Sequence, residues 1–389
     1  MLQKPVYLDN NATTAMDPRV FEAMKPFFME QYGNAASTTH VYGWEAKDAV
    51  EEAREKIAGL VNAKEKEIIF TSGATESVNL AIKGVFEKQR SKGNHIITCV
   101  TEHKAVLDTC KHLENLGGEV TYLPVNSDGL IDISLLEKAI RPATILIAIM
   151  FANNETGVIQ PVREISAIAR SHNVLFFSDA TQAVGKIAVD VQKEGIDIMA
   201  FTGHKIYGPK GTGALYIRRK PASVELTAQI DGGGHERGFR SGTLNVPGIV
   251  ALGSACEICL AEMTTDASRI KNLRDKLENA LLQLPGSSLN GSPDHRLPNV
   301  TNIAFENVDG QGMMLALSKY LAVSSGSACT SVTQEPSFVL KAMGLSDDLA
   351  RSSFRFSLGR FTTSDQIDFA IEKIGNTLKQ FREISSLRS

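Results

Sequence analysis

The sequence predicts an α/β fold: a large domain with a mostly parallel central sheet, joined to a smaller α+β domain. Two observations carry this. From about residue 66, short β-branched runs alternate with longer amphipathic ones, the pattern of parallel strands joined by helical crossovers. After "DGGGHERGFRSGTLNVPG" the character changes to long helical stretches and then to short strands mixed with helices.

Taken in order, the strand candidates are "EIIF", "HIITCV", "EVTYL", "TILIAIM", "VLFFSD", "IDIMAF" and "GALYI". Helical patterns such as "VNLAIKGVFEKQRS" and "PVREISAIARSHN" separate the earlier ones. "GIVALGSACEICLAEM" and "ASRIKNLRDKLENALLQL" follow, with no flexible spacer, so a long helix is the expected link between the domains. The expected division places residues 15–260 in the large domain and residues 1–14 with 261–389 in the small one, which carries a cysteine loop at about 322–335. At 389 residues the chain is longer than one core usually serves.

Composition narrows the function. The net charge of −3, with Lys and Arg scattered, supplies no electrostatic footprint for nucleic acid. The first residues hold no apolar stretch of signal-peptide length, and the run "ILIAIMFA" is too short to cross a bilayer, so the cytoplasm is expected. Five cysteines without regular spacing do not form a disulfide framework. Cys256 and Cys259 make a C-x-x-C inside an apolar helical pattern, and no second pair or nearby histidine completes a metal site. Buried core thiols are expected there.

Three segments fall where strands end, the usual place for ligands in open α/β sheets. In "TSGATESVNLAIKG" a strand ends at Thr71 and a helix starts near Thr75, leaving unpaired N–H groups that suit a phosphate. It matches neither the P-loop nor the dinucleotide pattern, and the same Thr and Glu would serve equally as helix caps. In "VLFFSDATQAVG" a strand delivers Asp179, either an N-cap or a partner for a protonated ring nitrogen, with Gln182 three residues on. In "MAFTGHKIYGPKGTG" a strand is followed by Thr202, His204 and Lys205, whose amine is a candidate Schiff-base former. Phosphate seat, carboxylate and lysine together are the parts a pyridoxal phosphate enzyme needs.

With these motifs in place, the chain resembles the class V aminotransferase-type, fold type I pyridoxal phosphate (PLP) proteins. Within them it is most similar to cysteine desulfurases of the IscS/NifS type. The resemblance runs nearly end to end through "YLDNNATTAMDPRV", "GNAASTTHVYG", "IIFTSGATESVNLAIKG", "TEHKAVLDTC", "NNETGVIQP", "SDATQAVGK", "GHKIYGPKGTGALY", "RSGTLN", "SSGSACTS" and "RFSLGRFTT". It implies that Lys205 joins the cofactor aldehyde and that His103 stacks on the ring and exchanges protons. It assigns Asp179 to the ring nitrogen and Gln182 to the phenolic oxygen, with Asn154 near that oxygen and the substrate. Ala74, Thr75, Thr202 and His204 would hold the phosphate, joined by Thr243 from a partner subunit, and Arg355 would pair the substrate carboxylate. Thr202 stands where many relatives carry Ser, and it keeps the hydroxyl.

The implied reaction takes L-cysteine to L-alanine and leaves a persulfide on Cys329. The small residues of "SSGSACTS" offer little apolar area to pin that loop, so a mobile, exposed thiol is expected, with His103 as a candidate base for it. A homodimer is implied, along with sulfur delivery to an iron–sulfur scaffold or to tRNA-thiolation carriers and transient contact of Cys329 with a nascent cluster. The end, "LKQFREISSLRS", falls short of the C-terminal extension of housekeeping bacterial members, which leaves the acceptor open. Competing readings are a selenocysteine lyase or another class V PLP enzyme, and a non-catalytic sulfur-relay subunit.

Overall fold

The computed structural model describes residues 4–325 and 335–386. Its centre is a seven-stranded sheet formed by β1 (Ile68–Thr71), β2 (His95–Cys99), β3 (Glu119–Leu123), β4 (Thr144–Ala148), β5 (Leu175–Asp179), β6 (Ile198–Thr202) and β7 (Gly213–Ile217). The order is β1-β7-β6-β5-β4-β2-β3. Every pair from β6 to β3 is parallel, and β7 alone runs antiparallel to its two neighbours. The seven predicted strands match these within two residues at each end.

Continuous apolar runs suit such strands because both faces are covered. Ile68 and Phe70 of β1, Met199 and Phe201 of β6, and Ala214 and Tyr216 of β7 enter one core. Their alternates Ile69, Ile198, Ala200, Leu215 and Ile217 enter the other. Helix α1 (Val41–Val61), helix α4 (Val162–Ser171) and the first half of α5 (Val246–Leu282) cover the first face. Helices α2 (Ala74–Gln89) and α3 (Lys104–Glu114) cover the second.

The two late helical stretches form one continuous helix, α5. It is long and apolar enough to cross a membrane by length and composition alone, although Gly, Ser and Glu interrupt its apolar residues and leave no unbroken apolar run. Half of that window is buried inside the protein. Cys256 and Cys259 lie there, fully buried in the core shared with α1.

The second half of α5 contributes Ile270, Leu277 and Leu281 to a separate core with Leu8, Phe305, Phe354, Phe356 and Ile367. That core includes residues of an antiparallel sheet with β8 (Ser287–Leu289), β9 (Val300–Phe305) and β10 (Ser353–Ser357), and of α6 (Ser364–Ser386). The N-terminal segment crosses between the layers. Leu8 sits in the C-terminal core, while Thr14 N donates to His204 O at 2.9 Å just beyond β6.

Candidate active site

Because β1 and β4–β6 point the same way, their carboxyl ends share one edge of the sheet. A cavity of about 500 Å³ opens there. Ten predicted residues line it: Ala74, Thr75, His103, Asn154, Asp179, Gln182, Thr202, His204, Lys205 and Arg355. Thr243 does not; it is exposed on a loop beyond the cavity. Cys329 lies outside the described residues.

Lys205 follows β6 in a single 3₁₀ turn. Its Nζ donates to Asn11 O at 2.5 Å and Ala12 O at 2.6 Å, so the N-terminal segment aims the amine. Asp179, at the tip of β5, is nearly buried and accepts from Thr181 N at 3.0 Å. Gln182 donates through Nε2 to Asn11 O at 3.0 Å, which leaves the second amide hydrogen for another acceptor.

Gly73, φ 152, makes the turn from β1 into α2 in a backbone conformation that glycine adopts readily. Ala74 and Thr75 are then the first two residues of α2, with N–H groups that have no partner one turn back. Glu76 reaches back to accept from Ser72 N at 2.9 Å, so for this residue the capping role holds. Thr202 Oγ1 donates to Thr212 O at 3.0 Å, and a phosphate oxygen would compete with that carbonyl for the single hydroxyl proton. At His204 burial, then the Lys205, Lys210 and Lys186 charges, push the imidazole down to about 4, so at neutral pH it is an uncharged donor or acceptor.

His103 caps α3, its Nδ1 accepting from Ala105 N at 3.1 Å. That acceptance leaves Nε2 as the proton-bearing nitrogen of the neutral ring. Arg355, on β10, is 4% exposed. Its Nη1 donates to Asn154 O at 3.0 Å and its Nη2 to Asp9 Oδ1 at 2.8 Å, while its Nε is buried with no partner among the described residues. A buried donor left unpaired is costly and marks a place for an acceptor.

Sequence reasoning missed the hub of this site. Asn11, 1% exposed, joins Lys205, Gln182, Lys186, Asn154 and Asn299 through its backbone and amide. Lys186 donates to Asn11 Oδ1 at 3.2 Å and Gln182 Oε1 at 2.5 Å. Burial first, then the like charges of Lys205 and Arg355, hold its amine well below the usual lysine range. Both residues stood inside the quoted stretches "YLDNNATT" and "SDATQAVGK", without any periodic signal to single them out.

Glu155, next to Asn154, is buried, and burial pushes its carboxyl from an ordinary 4.5 up to about 7 against the opposing effects of Ser337 and Arg355. Ser337 Oγ donates to it at 2.5 Å. With the folded value above the unfolded one, its contribution to stability is fully present below about pH 4.5 and is lost as pH rises through about 7. Between about pH 5 and about pH 8 the native chain should therefore lose on the order of 3 kcal/mol relative to Glu155→Gln. Denaturant unfolding of both proteins at the two pH values checks this; parallel pH dependence would contradict it.

The fold and this cavity define a class. A family model described as aminotransferase class-V matches residues 6–369, and the chain belongs to that family. Among curated relatives, the cysteine desulfurase IscS of Anaeromyxobacter dehalogenans is 53% identical over 384 residues, which cover 98% of this chain and 95% of that protein. A solved structure described as a NifS-like protein matches with a TM-score of 0.90 at 41% identity, covering 97% of this chain and all of that one. The structure described as SspA in complex with cysteine matches with a TM-score of 0.82 at 39% identity, covering 92% of this chain and 100% of that one.

Proposed function

We propose that this chain is a PLP-dependent cysteine desulfurase, converting L-cysteine to L-alanine with transfer of sulfur to Cys329. The observation that carries the reading is the convergence of an amine, a carboxylate, a helix N-terminus and a guanidinium in one cavity of about 500 Å³, a volume that suits a ligand of this size. These residues fit the cofactor by the chemistry of their donors. Lys205 would attach to its aldehyde, Asp179 would hold the proton on its ring nitrogen, and the second N–H of Gln182 would serve its phenolic oxygen, with Asn154 beside it. The first turn of α2, with Thr202 and neutral His204, would hold its phosphate. When bound, PLP supplies an electron sink for the substrate Cα.

The remaining work falls to the protein. The unpartnered Nε–H of Arg355 offers a buried donor to the substrate carboxylate. Lys205 carries the proton at the substrate Cα, and His103, through Nε2, exchanges protons at the reacting end. The Cys329 thiolate attacks the substrate sulfur. An S–S bond forms, the substrate C–S bond breaks, and the carbon gains a proton to become alanine.

Two observations support Cys329 as the acceptor. Cys99, Cys110, Cys256 and Cys259 are all buried and unpaired. Burial pushes Cys99 and Cys110 up to about 12 and Cys259 to about 11, and raises Cys256 strongly, so none is a ready nucleophile. The flanks of the Cys329 segment are also tied beside the cavity: Ser324 exchanges backbone hydrogen bonds with Arg355, and Ser337 bonds Glu155.

A homodimer fits the exposed Phe21, Phe28, Tyr32, Tyr42 and Trp44, apolar side chains of the kind a second copy would cover. It also fits the exposure of Thr243, which this reading offers to the phosphate of the partner subunit. The reading places the enzyme in the cytoplasm, as unpaired thiols suit. The reading passes the sulfur to an iron–sulfur scaffold or to another acceptor such as a tRNA-thiolation carrier, and a nascent cluster that Cys329 would touch is cargo. The test is to supply L-cysteine to the PLP-loaded protein and measure alanine; alanine equal to the sulfur released supports the reading, and none overturns it.

A further inference from the structure

The loop carrying "DGGGHERGFRSGT" is fastened to the sheet more firmly than a surface connection needs. Glu236, 5% exposed, accepts from Arg54 Nη1 at 2.8 Å, Arg54 Nη2 at 2.9 Å and Phe70 N of β1 at 2.8 Å. Arg54 also donates to Ile68 O at 2.8 Å and lies 4.5 Å over the Phe70 ring. Glu236 and Arg237 both hold left-handed φ values, 48 and 58, which side-chain-bearing residues adopt only where the surroundings over-determine them. The bidentate Arg54 fork is that surrounding. Further along, Ser241 N donates to Ile230 O at 3.2 Å and Gly242 N to His235 Nδ1 at 3.3 Å.

From this mount Arg240 reaches the first turn of α2. Its Nε donates to Glu76 Oε1 at 2.8 Å and its Nη2 to Oε2 at 3.4 Å, with side-chain exposures of 21% and 17%. A pair so withdrawn from water is not the weak contact of a fully exposed ion pair. Glu76 also accepts from Ser72 N, and it lines the cavity beside Gly73, Ala74 and Thr75. A carboxylate in the first turn suits a helix alone. It opposes a phosphate in the same turn, because two anions then share one set of N–H groups.

We propose that Arg240 is a positioning residue for the cofactor phosphate: it neutralises Glu76 and turns that carboxylate onto Ser72 N–H, so that the N–H groups of Ala74 and Thr75 meet the phosphate without an opposing charge. Burial alone would raise the Glu76 carboxyl, but the Arg240 and Ser72 hydrogen bonds outweigh it and hold it below the usual carboxylate range. Glu76 therefore stays charged at neutral pH, and its charge has to be countered. Among the described residues, the other ionisable groups lining the cavity are His103, Asp179, His204, Lys205, Lys210 and Arg355, of which His204 is held neutral.

The inference rests on the reading that the cavity takes PLP, and the test separates the two. Protein freed of cofactor is titrated with PLP and with pyridoxal, which lacks the phosphate, and inorganic phosphate is used as competitor. Arg240→Gln should weaken PLP binding by about tenfold and blunt competition by phosphate, with pyridoxal affinity unchanged. Adding Glu76→Gln should return PLP affinity to within about threefold of the native protein. Equal PLP affinity in Arg240→Gln, parallel loss of PLP and pyridoxal, or no rescue by Glu76→Gln would each overturn the inference. A native protein that bound neither PLP nor pyridoxal would overturn the cofactor reading itself.

Discussion

Cys329→Ala should abolish desulfuration while leaving the cofactor chemistry intact. Turnover of L-cysteine to alanine is expected to fall by at least about a thousandfold, because on this reading Cys329 is the nucleophile that takes the sulfur. The four remaining thiols are buried and shifted away from thiolate. The visible absorbance of the loaded protein should still change when cysteine is added, since Lys205, Asp179 and Arg355 are untouched. Steady-state alanine release and a spectrum with cysteine check the two halves separately. Full activity without this thiol would favour a selenocysteine lyase or another class V enzyme.

Lys205→Ala should have the second large effect, at an earlier point. Borohydride treatment should fix cofactor to the native chain and none to the variant, and turnover should fall by about a thousandfold or more. Removing the amine also strips a donor from Asn11 O and Ala12 O, which should cost about 1 kcal/mol of stability. Asn11 O keeps Gln182 as a donor, which bounds that cost. Cofactor fixed to the variant at another lysine would point to Lys186, the other amine on Asn11.

Most of the central sheet was legible because strands buried on both faces read as unbroken apolar runs, and β7 matches its predicted segment residue for residue; β3, a partly exposed edge strand, matches too, through its β-branched and aromatic residues. The strand-end residues Asp179, Thr202 and Lys205 were legible for a related reason: chemistry placed just after a buried strand stands out against it. Asn11 and Lys205 are 194 positions apart, and no periodicity connects them. Arg240 and Glu76 are 164 apart, and each alone looks like a solvated charge. The raised carboxyl of Glu155 depends on burial against Ser337 and Arg355, which only the folded chain brings together. The long linking helix was legible too, and α5 runs unbroken through "TTD", residues of modest helix propensity that packing on either side carries through.

The most direct test of the central claim is to incubate the PLP-loaded protein with L-cysteine, with and without reductant, and locate the added sulfur by peptide mass. Added sulfur on Cys329, removed by reductant and accompanied by an equal amount of alanine, is the predicted result. Sulfur on Cys99, Cys110, Cys256 or Cys259, or alanine formed with no sulfur on the chain, would contradict it.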